Sequence, residues 1–251
     1  MTDIDEVAPG VHRCADGLVN WYLVQDGAEM MLVDSGWPSS WSRITAAVEG
    51  LGQRPGDLRA VLLTQGHADH LGSAERARRA GVPVRARDAE VDRVRGKAPG
   101  SSSFALVPGL LPHLWRPHAL GFVLHATRHG FLTPRWVQEV QPFSAGTDLD
   151  LPGHPRAIAT PGHTEGHTSF LLADRGVLLS GDAVVTLDPL SRDRGPRLLP
   201  DALQADPAVA RTSLDVLESP EAELLLPGHG TPWRGSPADA VRRARAADGR
   251  R

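Results

Sequence analysis

The stretch that decides the fold runs from Ala60 to Gly72 and reads Ala-Val-Leu-Leu-Thr-Gln-Gly-His-Ala-Asp-His-Leu-Gly. Its first half is apolar and belongs to a predicted buried strand, Leu58–Thr64. Its second half places two histidines and an aspartate beside a glycine, which suits a tight turn. Imidazole and carboxylate groups together are suitable ligands for Zn(II), Fe(II) or Mn(II). The stretch therefore predicts a strand that leads directly into a metal-binding loop.

The same arrangement recurs along the chain. Four more apolar runs end beside a glycine and a carboxylate or histidine: Met30–Val33 before Asp34, Ala157–Thr160 before His163, Val177–Ser180 before Asp182, and Leu224–Leu226 before His229. If these runs are strands, each polar group lies in the loop that follows a strand end. Neighbouring strands would gather those loops at one edge of a sheet. The pattern predicts one joint metal centre rather than separate sites.

Composition limits the classes of protein that the chain can belong to. The 251 residues suffice for one large domain or two small ones, and the 41% hydrophobic content is ordinary for a globular protein. The formal net charge of -3 argues against a nucleic-acid partner. Cys14 is the only cysteine, which excludes an intrachain disulfide and a Cys-based zinc site. With an acidic N-terminus and no long apolar run, we expect a cytoplasmic protein without a membrane partner.

The remaining segments predict alternating strands and helices. Val19–Val24 and Met30–Val33 flank an Asp-Gly turn and predict a β-hairpin, whereas Trp41–Leu51 predicts a helix capped by Ser39 or Ser40. Such alternation indicates an α/β or α+β fold. Residues 98–144 are interrupted by prolines, and we expect them to form an insertion, or cap, with one or two short helices within a single domain spanning 1–251.

Taken in order, these motifs resemble those of the metallo-β-lactamase superfamily. Gln65–Gly72 resembles its His-x-His-x-Asp-His signature, and Thr160–Thr168 resembles its third motif in the form found in glyoxalase II-like members. Gly181-Asp182 and Pro227–Gly230 resemble the fourth and fifth motifs, and Asp34 matches the first, mainly structural, aspartate. The resemblance extends over most of the chain and implies a four-layer αββα sandwich.

The resemblance also implies a role for each motif residue. His67 and His163 would bind a first metal ion, and a second ion would be held by Asp69, His70 and His229. Asp182 would bridge the two ions. Asp34 and His167 are expected to orient these ligands through hydrogen bonds rather than to bind metal.

One residue departs from the family pattern. Gln65 stands where the first histidine of the signature is expected. An amide oxygen is a weaker ligand than an imidazole for borderline metals. We therefore expect Gln65 to be either a weak ligand or a hydrogen-bonding neighbour, and the second metal site to fill before the first.

The implied activity is that of a metal-dependent hydrolase. It would cleave the carbonyl of an ester, thioester, lactone or amide by attack of a metal-bound hydroxide held near Asp69, which is the expected catalytic residue. The expected cofactor is one or two zinc ions, with iron or manganese as alternatives, and the expected partner is a small-molecule substrate. Two other functions stay open: a mononuclear iron oxidoreductase resembling persulfide dioxygenases, and a catalytically degenerate metal-binding module. The sequence identifies neither the substrate nor the oligomeric state.

Overall fold

A computed structural model describes residues 4–102, 105 and 107–249. The N-terminal half of the chain forms a mixed sheet of seven strands in the order β1 to β7. Its members are β1 (Ile4–Ala8), β2 (Val11–Asp16), β3 (Val19–Asp26), β4 (Glu29–Val33), β5 (Val61–Leu62), β6 (Val84–Arg87) and β7 (Gln141–Phe143). Strands β1 to β4 are antiparallel, which confirms the predicted hairpin, and β4 to β7 are parallel.

The C-terminal half builds a second sheet, in the order β14-β13-β10-β9-β8. It consists of β8 (Arg156–Ala159), β9 (Thr168–Leu172), β10 (Val177–Gly181), β13 (Leu224–Pro227) and β14 (Trp233–Arg234). Strands β10 and β13 run parallel, so the loops after both strands lie at the same edge. A separate antiparallel hairpin is made of β11 (Val185–Leu187) and β12 (Arg194–Arg197).

The helices are mostly short. They are α1 (Trp41–Gly50), α2 (Ala74–Arg79), α3 (Val91–Val94), α4 (Val107–Leu110), α5 (Pro117–Arg128), α6 (Pro207–Ser213) and α7 (Pro237–Asp248). Two of them have side-chain caps: Asp206 accepts the backbone N–H of Val209 at the start of α6, and Ser236 accepts that of Asp239 at the start of α7. Among the described residues, no helix is both long and apolar enough to cross a membrane.

Apolar side chains divide the molecule into four layers. Residues of both sheets, including Met31, Phe170 and Leu226, are buried against each other in the central core. On the outer face of the first sheet, Ile44 of α1 and neighbouring apolar residues of α1 and α2 are buried, and Val241 and other residues of α7 are buried on the outer face of the second. Helices therefore cover both outer faces, and the predicted αββα sandwich is confirmed.

Two local predictions need correction, and one is confirmed only in part. The strand predicted for Leu58–Thr64 is limited to Val61–Leu62, since Thr64 gives its backbone N–H to the carboxylate of Asp34 instead of to a strand. Ser40 is the N-cap residue of α1, as predicted, but its side chain makes no capping hydrogen bond: its hydroxyl donates to Asp16 and accepts the N–H of Trp37. The predicted insertion 98–144 contains α4 and α5, but its end forms β7, which pairs with β6.

Helix α2 is fixed through Glu75, a buried carboxylate. Glu75 accepts hydrogen bonds from Arg78, from Arg79 and from the backbone N–H of Gln138, which ties the helix to the segment before β7. The guanidinium of Arg78 is the largest of the effects that lower the pKa of Glu75 to about 2. Its charged form is therefore favoured in the folded protein.

Replacing Glu75 by glutamine should lower the free energy of unfolding at neutral pH by about 2 kcal/mol, because it removes the charge that the arginines stabilise. These arginines are partly solvated, which keeps the loss below the value that the pKa shift alone would imply. The folded-state pKa is depressed, so this contribution is complete above the ordinary glutamate pKa of about 4.3 and disappears as pH falls towards the folded-state value. Urea unfolding at neutral pH and at about pH 3 measures the difference, with Glu49→Gln on the exposed face of α1 as control. A penalty of equal size at both pH values would contradict the assignment.

Candidate metal centre

The loops that follow five strands meet at one edge of the sandwich. Asp34 follows β4, the segment Gln65–His70 follows β5, and His163, Asp182 and His229 come after β8, β10 and β13. The side chains are in contact although the loops are far apart in sequence. His70 Nδ1 lies 2.8 Å from Asp34 Oδ2, and His70 Nε2 lies 3.2 Å from Asp182 Oδ2. The predicted convergence is therefore present in the structure.

Three of these residues form the tightest group of metal-competent side chains within the described part of the chain. Ligand atoms of Asp69, His70 and His229 all lie within 4.8 Å of one another, and all three residues are buried. Asp182 adds a fourth: its Oδ2 lies 3.4 Å from His229 Nε2 as well as close to His70. Two imidazoles and two carboxylates lie close together here, and such a donor set suits a divalent transition metal.

His67 and His163 form a second pair on the other side of Asp182. His67 Nδ1 lies 3.0 Å from His163 Nε2, which in turn lies 3.3 Å from Asp182 Oδ2. Asp182 Oδ2 is thus adjacent to both groups, as a bridging ligand would be. The predicted site residues are brought together in two subsets that share one carboxylate.

Gln65 is oriented differently from a ligand. Its amide nitrogen donates a hydrogen bond of 2.7 Å to Asp182 Oδ2, and its Oε1 is buried without a hydrogen-bond partner among the described residues. A metal would require the oxygen rather than the nitrogen. In this arrangement Gln65 positions the shared carboxylate and does not supply the imidazole that the family pattern places beside His67 and His163.

Hydrogen bonds on the far side of the rings fix their orientation. His70 Nδ1 donates to Asp34, and His229 Nδ1 donates to the carbonyl oxygen of Leu18 at 2.7 Å. Each ring therefore directs an Nε2 lone pair at the cluster, the arrangement typical of metal-bound imidazoles. Asp34 has a left-handed backbone, with φ of 57°, and its carboxylate also accepts the N–H and hydroxyl of Thr64. This strained conformation directs its carboxylate towards His70.

His167 acts on Asp182 through the backbone. Its Nε2 accepts the N–H of Asp182 at 3.0 Å, so its Nδ1 carries the proton and donates to Thr160. Burial lowers the pKa of His167 to about 3, which keeps the ring neutral. Its position supports the orienting role expected for it.

Two residues that the sequence did not single out hold the loop of His229. Asn20 donates from its amide to the carbonyl oxygens of Pro227 and Gly230, each at 2.8 Å. Tyr22 donates its hydroxyl to the same Pro227 oxygen at 2.7 Å. Both residues lie in β3, and no sequence motif marks them, because their partners are backbone atoms of a loop distant in sequence.

Glu90 is a third residue that the sequence did not indicate. It is buried, and its two carboxylate oxygens accept the N–H groups of Gly66 and Gly166, each at 2.8 Å. One side chain thus joins the loop of His67 to the loop after His163. Glu90 follows β6, so the rule that selected the other motifs, a carboxylate shortly after a strand, could have found it.

Replacing Glu90 by alanine should lower the free energy of unfolding by about 2 kcal/mol, because two buried N–H groups lose their acceptor. Chemical denaturation measures this loss. Glu221→Ala, at an exposed position before β13, is the matched control and should stay within about 0.5 kcal/mol of the parent protein. Equal stability of Glu90→Ala and the parent would show that the two loops do not depend on this carboxylate.

The electrostatics of the cluster favour a bound cation. Burial alone would lower the pKa of His70, but the carboxylates of Asp182, Asp34 and Asp69 hold it well above its ordinary value. Burial would also raise the pKa of Asp182, yet His229 and His70 hold it well below the ordinary range. Burial lowers the pKa of both His67 and His163, which favours the neutral form that binds metal. The carboxylates thus favour positive charge at this point.

The packing around Asp182 and the unpaired polar atoms beside it are consistent with a metal ion bound by the cluster. His70 Nε2 and Asp182 Oδ1 are buried and have no hydrogen-bond partner among the described residues. Such groups are rare in folded proteins and point to a missing ion or water. A Cβ atom on Gly228 would lie 2.2 Å from Asp182 Oδ1 and 2.7 Å from His70 Cε1. Only glycine therefore lets the backbone pass this close to Asp182 and His70. The donors present fit a divalent metal.

A pocket that encloses about 400 Å³ of empty space, part of it open to solvent, gives access to the cluster. Its polar floor contains His67, Asp69, His163, Asp182 and His229, whereas the described residues of its walls are apolar. Buried metal-competent groups at the base of a concave pocket are the arrangement expected of a binding or catalytic site.

Comparison with known proteins identifies related chains. The family model described as the metallo-beta-lactamase superfamily matches residues 15–229. The probable metallo-hydrolase YflN of Bacillus subtilis is 33% identical over 248 residues, which cover 92% of this chain and 87% of that protein. Human metallo-beta-lactamase domain-containing protein 1 is 30% identical over 206 residues, which cover 81% of this chain and 59% of the human protein.

Solved structures support the fold. A metallo-beta-lactamase family protein of Thermus thermophilus matches with a TM-score of 0.71 at 24% identity, covering 96% of this chain and 80% of that one. A metallo-beta-lactamase with a HARLDQ motif from Cronobacter sakazakii matches with a TM-score of 0.69 at 21% identity, covering 99% and 96%. At this level of identity the likeness concerns the architecture alone.

Proposed function

The chain belongs to the metallo-β-lactamase superfamily, and from this premise we propose that it is a metal-dependent hydrolase acting on the carbonyl of an ester, thioester, lactone or amide. The observation that carries the proposal is the group Asp69, His70 and His229, whose ligand atoms lie within 4.8 Å of one another. Asp69 and His229 of this group, together with Asp182, lie at the floor of an accessible cavity, and His70 is fully buried.

We assign these four residues to one strong metal site. Zinc suits the mixture of imidazole and carboxylate, and iron or manganese could use the same donors. When bound, such a metal activates a water molecule and polarises a carbonyl oxygen. His67 and His163, which have Asp182 and the amide of Gln65 beside them, would hold a second ion more weakly.

The protein's own groups would orient the substrate and handle protons. Asp69 lines the cavity, and its Oδ2 lies 3.5 Å from His229 Nε2. A carboxylate in this position can take a proton from the attacking water and give it to the leaving group. The apolar walls above it exclude bulk water, which strengthens the electrostatic interactions at the floor.

Substrate turnover in the presence and absence of metal tests the proposal. Purified protein, treated with chelator and reloaded with zinc, should hydrolyse at least one substrate from a panel of p-nitrophenyl esters, thioesters, lactones and nitrocefin. Activity should disappear with chelator and return with metal. Zinc-loaded protein that is inactive across the panel would contradict hydrolysis, and oxygen uptake with glutathione persulfide would favour the iron oxidoreductase instead.

The orientation of Gln65 leads to a prediction about stoichiometry. Gln65→His should raise the tightly bound metal from about one ion to about two ions per chain, since an imidazole would complete the site of His67 and His163. Elemental analysis after gel filtration gives the ratio. Gln138→His, at an exposed position, should leave the ratio at the parent value. Two ions in both parent and Gln65→His would contradict the assignment.

A further inference from the structure

The walls of the cavity above the candidate metal centre are apolar on every side that the structure describes. Beyond its polar floor, the cavity is lined by Leu110, Phe122, Phe131, Pro189, Leu199 and Leu203. Leu110 belongs to α4 and Phe122 to α5, which lie over this end of the sandwich. Apart from the metal-competent residues of the floor, no described residue that lines this cavity has a charged or amide side chain.

A second apolar cavity adjoins the first. It encloses about 300 Å³ of empty space, part of it open to solvent, and shares the lining residues Leu110, Phe122 and Phe131 with the first cavity. Its other lining residues are Val107, Val123, Ala126, Thr127 and Leu132, of which only Thr127 has a polar group. Val107 of α4, 38% exposed, and Val123 of α5 are among the residues that line it. We call the two cavities together the cap channel.

The centre also borders a more polar groove. This groove shares His67, His163 and Leu203 with the first cavity and is further lined by Arg93 and Gln204. The candidate metal centre therefore lies at the junction of an apolar channel and a polar groove. A scissile carbonyl held at this junction would have an apolar part on one side and a polar part on the other.

We propose that the substrate is an ester or thioester of an unbranched medium-chain acyl group, with the hydrocarbon chain in the cap channel and the polar leaving group in the groove beside Arg93. The proposal rests on the hydrolase function proposed above and names its substrate class. A hydrocarbon chain is the part of a substrate that gains from leaving water for such walls. A charged or peptide-like acyl group would lose hydration there, since Thr127 is the only described wall residue whose side chain could offer it a hydrogen bond.

Binding of straight-chain carboxylates to the zinc-loaded protein tests this assignment directly, because these acids are the products of the proposed reaction. In titration calorimetry with the series from acetate to decanoate, affinity should rise by up to about fourfold for each added methylene until the channel is filled. In parallel, kcat/KM is measured for p-nitrophenyl acetate and p-nitrophenyl octanoate. The octanoate ester should be the better substrate.

Two variants on α5 separate the channel from the outer face of the helix. Val123→Phe fills the second cavity and should lower the octanoate-to-acetate ratio, in both binding and turnover, by about tenfold. Leu124→Phe, whose side chain is 62% exposed and does not line the channel, should keep the parent ratio. Thr127→Phe, at the exposed mouth, replaces Val123→Phe should the latter fail to fold.

The outcomes separate this proposal from the hydrolase function. Carboxylate binding that strengthens with chain length and weakens in the channel variants supports the cap channel, even where no ester is hydrolysed. Chain-length dependence that is absent from the parent protein, or equally reduced by Leu124→Phe, overturns the acyl-chain assignment. Chelator-sensitive hydrolysis of the acetate ester alone would keep the hydrolase function and reject the medium-chain substrate.

Discussion

Asp182→Asn should reduce kcat/KM by about 10³-fold or more, because the metal's charge stabilisation is worth several kcal/mol and each 1.4 kcal/mol corresponds to about tenfold in rate. Asp182 Oδ2 is the atom that lies near His70, His163 and His229 at 3.2, 3.3 and 3.4 Å. An amide in its place removes the negative charge that lies beside these three imidazoles. Tightly bound metal should fall in proportion to activity.

The matched control for this variant is Asp174→Asn, which changes an exposed aspartate between β9 and β10. It should keep the parent activity and metal content. Circular dichroism and thermal unfolding of both variants establish that the fold persists. Activity of Asp182→Asn close to that of the parent would remove Asp182 from the site.

Asp69→Asn should lower kcat by about 10²- to 10⁴-fold, the range expected when a positioned general acid–base group is lost. Asp69 lies at the floor of the cavity, with its Oδ2 3.5 Å from His229 Nε2. The loss should be largest for substrates with poor leaving groups, because these depend most on proton donation. Comparing p-nitrophenyl and alkyl esters measures this dependence.

Asp150→Asn, at an exposed position before β8, is the control for Asp69→Asn. Metal content is measured on the same samples. A rate loss that is fully explained by lost metal would make Asp69 a ligand only, whereas a loss at retained metal content supports its role in proton transfer. An unchanged kcat would contradict both roles.

The candidate site could be proposed from the sequence because strand ends and metal-competent side chains coincide in it. The apolar runs before Asp34, Asp182 and His229 identify strands, and parallel strands must bring their following loops to one edge. The direction of each loop is therefore implied by the pattern alone. The fold class follows from the same strand and helix alternation, strengthened by the family motifs.

The residues that the sequence missed make contacts with backbone atoms of distant loops. Glu90 accepts N–H groups of Gly66 and Gly166, and Asn20 donates to Pro227 and Gly230. The position of Glu90 after β6 could have marked it as a candidate, but no sequence pattern indicates the contacts of either residue, since the partner is any peptide group that comes near. Identifying these contacts requires the three-dimensional positions of the loops.

The role of Gln65 and the limits of the 98–144 segment also depended on the structure. The sequence left Gln65 as either ligand or hydrogen-bonding neighbour, and only the position of its amide nitrogen, 2.7 Å from Asp182 Oδ2, favours the second. The strand β7 is short and contains a proline, which is unusual within a sheet, so the pattern gave no reason to separate it from the insertion.

Metal content per chain tests the central claim most directly. After zinc loading and gel filtration, elemental analysis of the parent protein should give about one tightly held ion, and the double variant His70→Ala/His229→Ala should retain essentially none. Parent protein that retains no metal, or a double variant that holds as much as the parent, would contradict a centre built from Asp69, His70, Asp182 and His229.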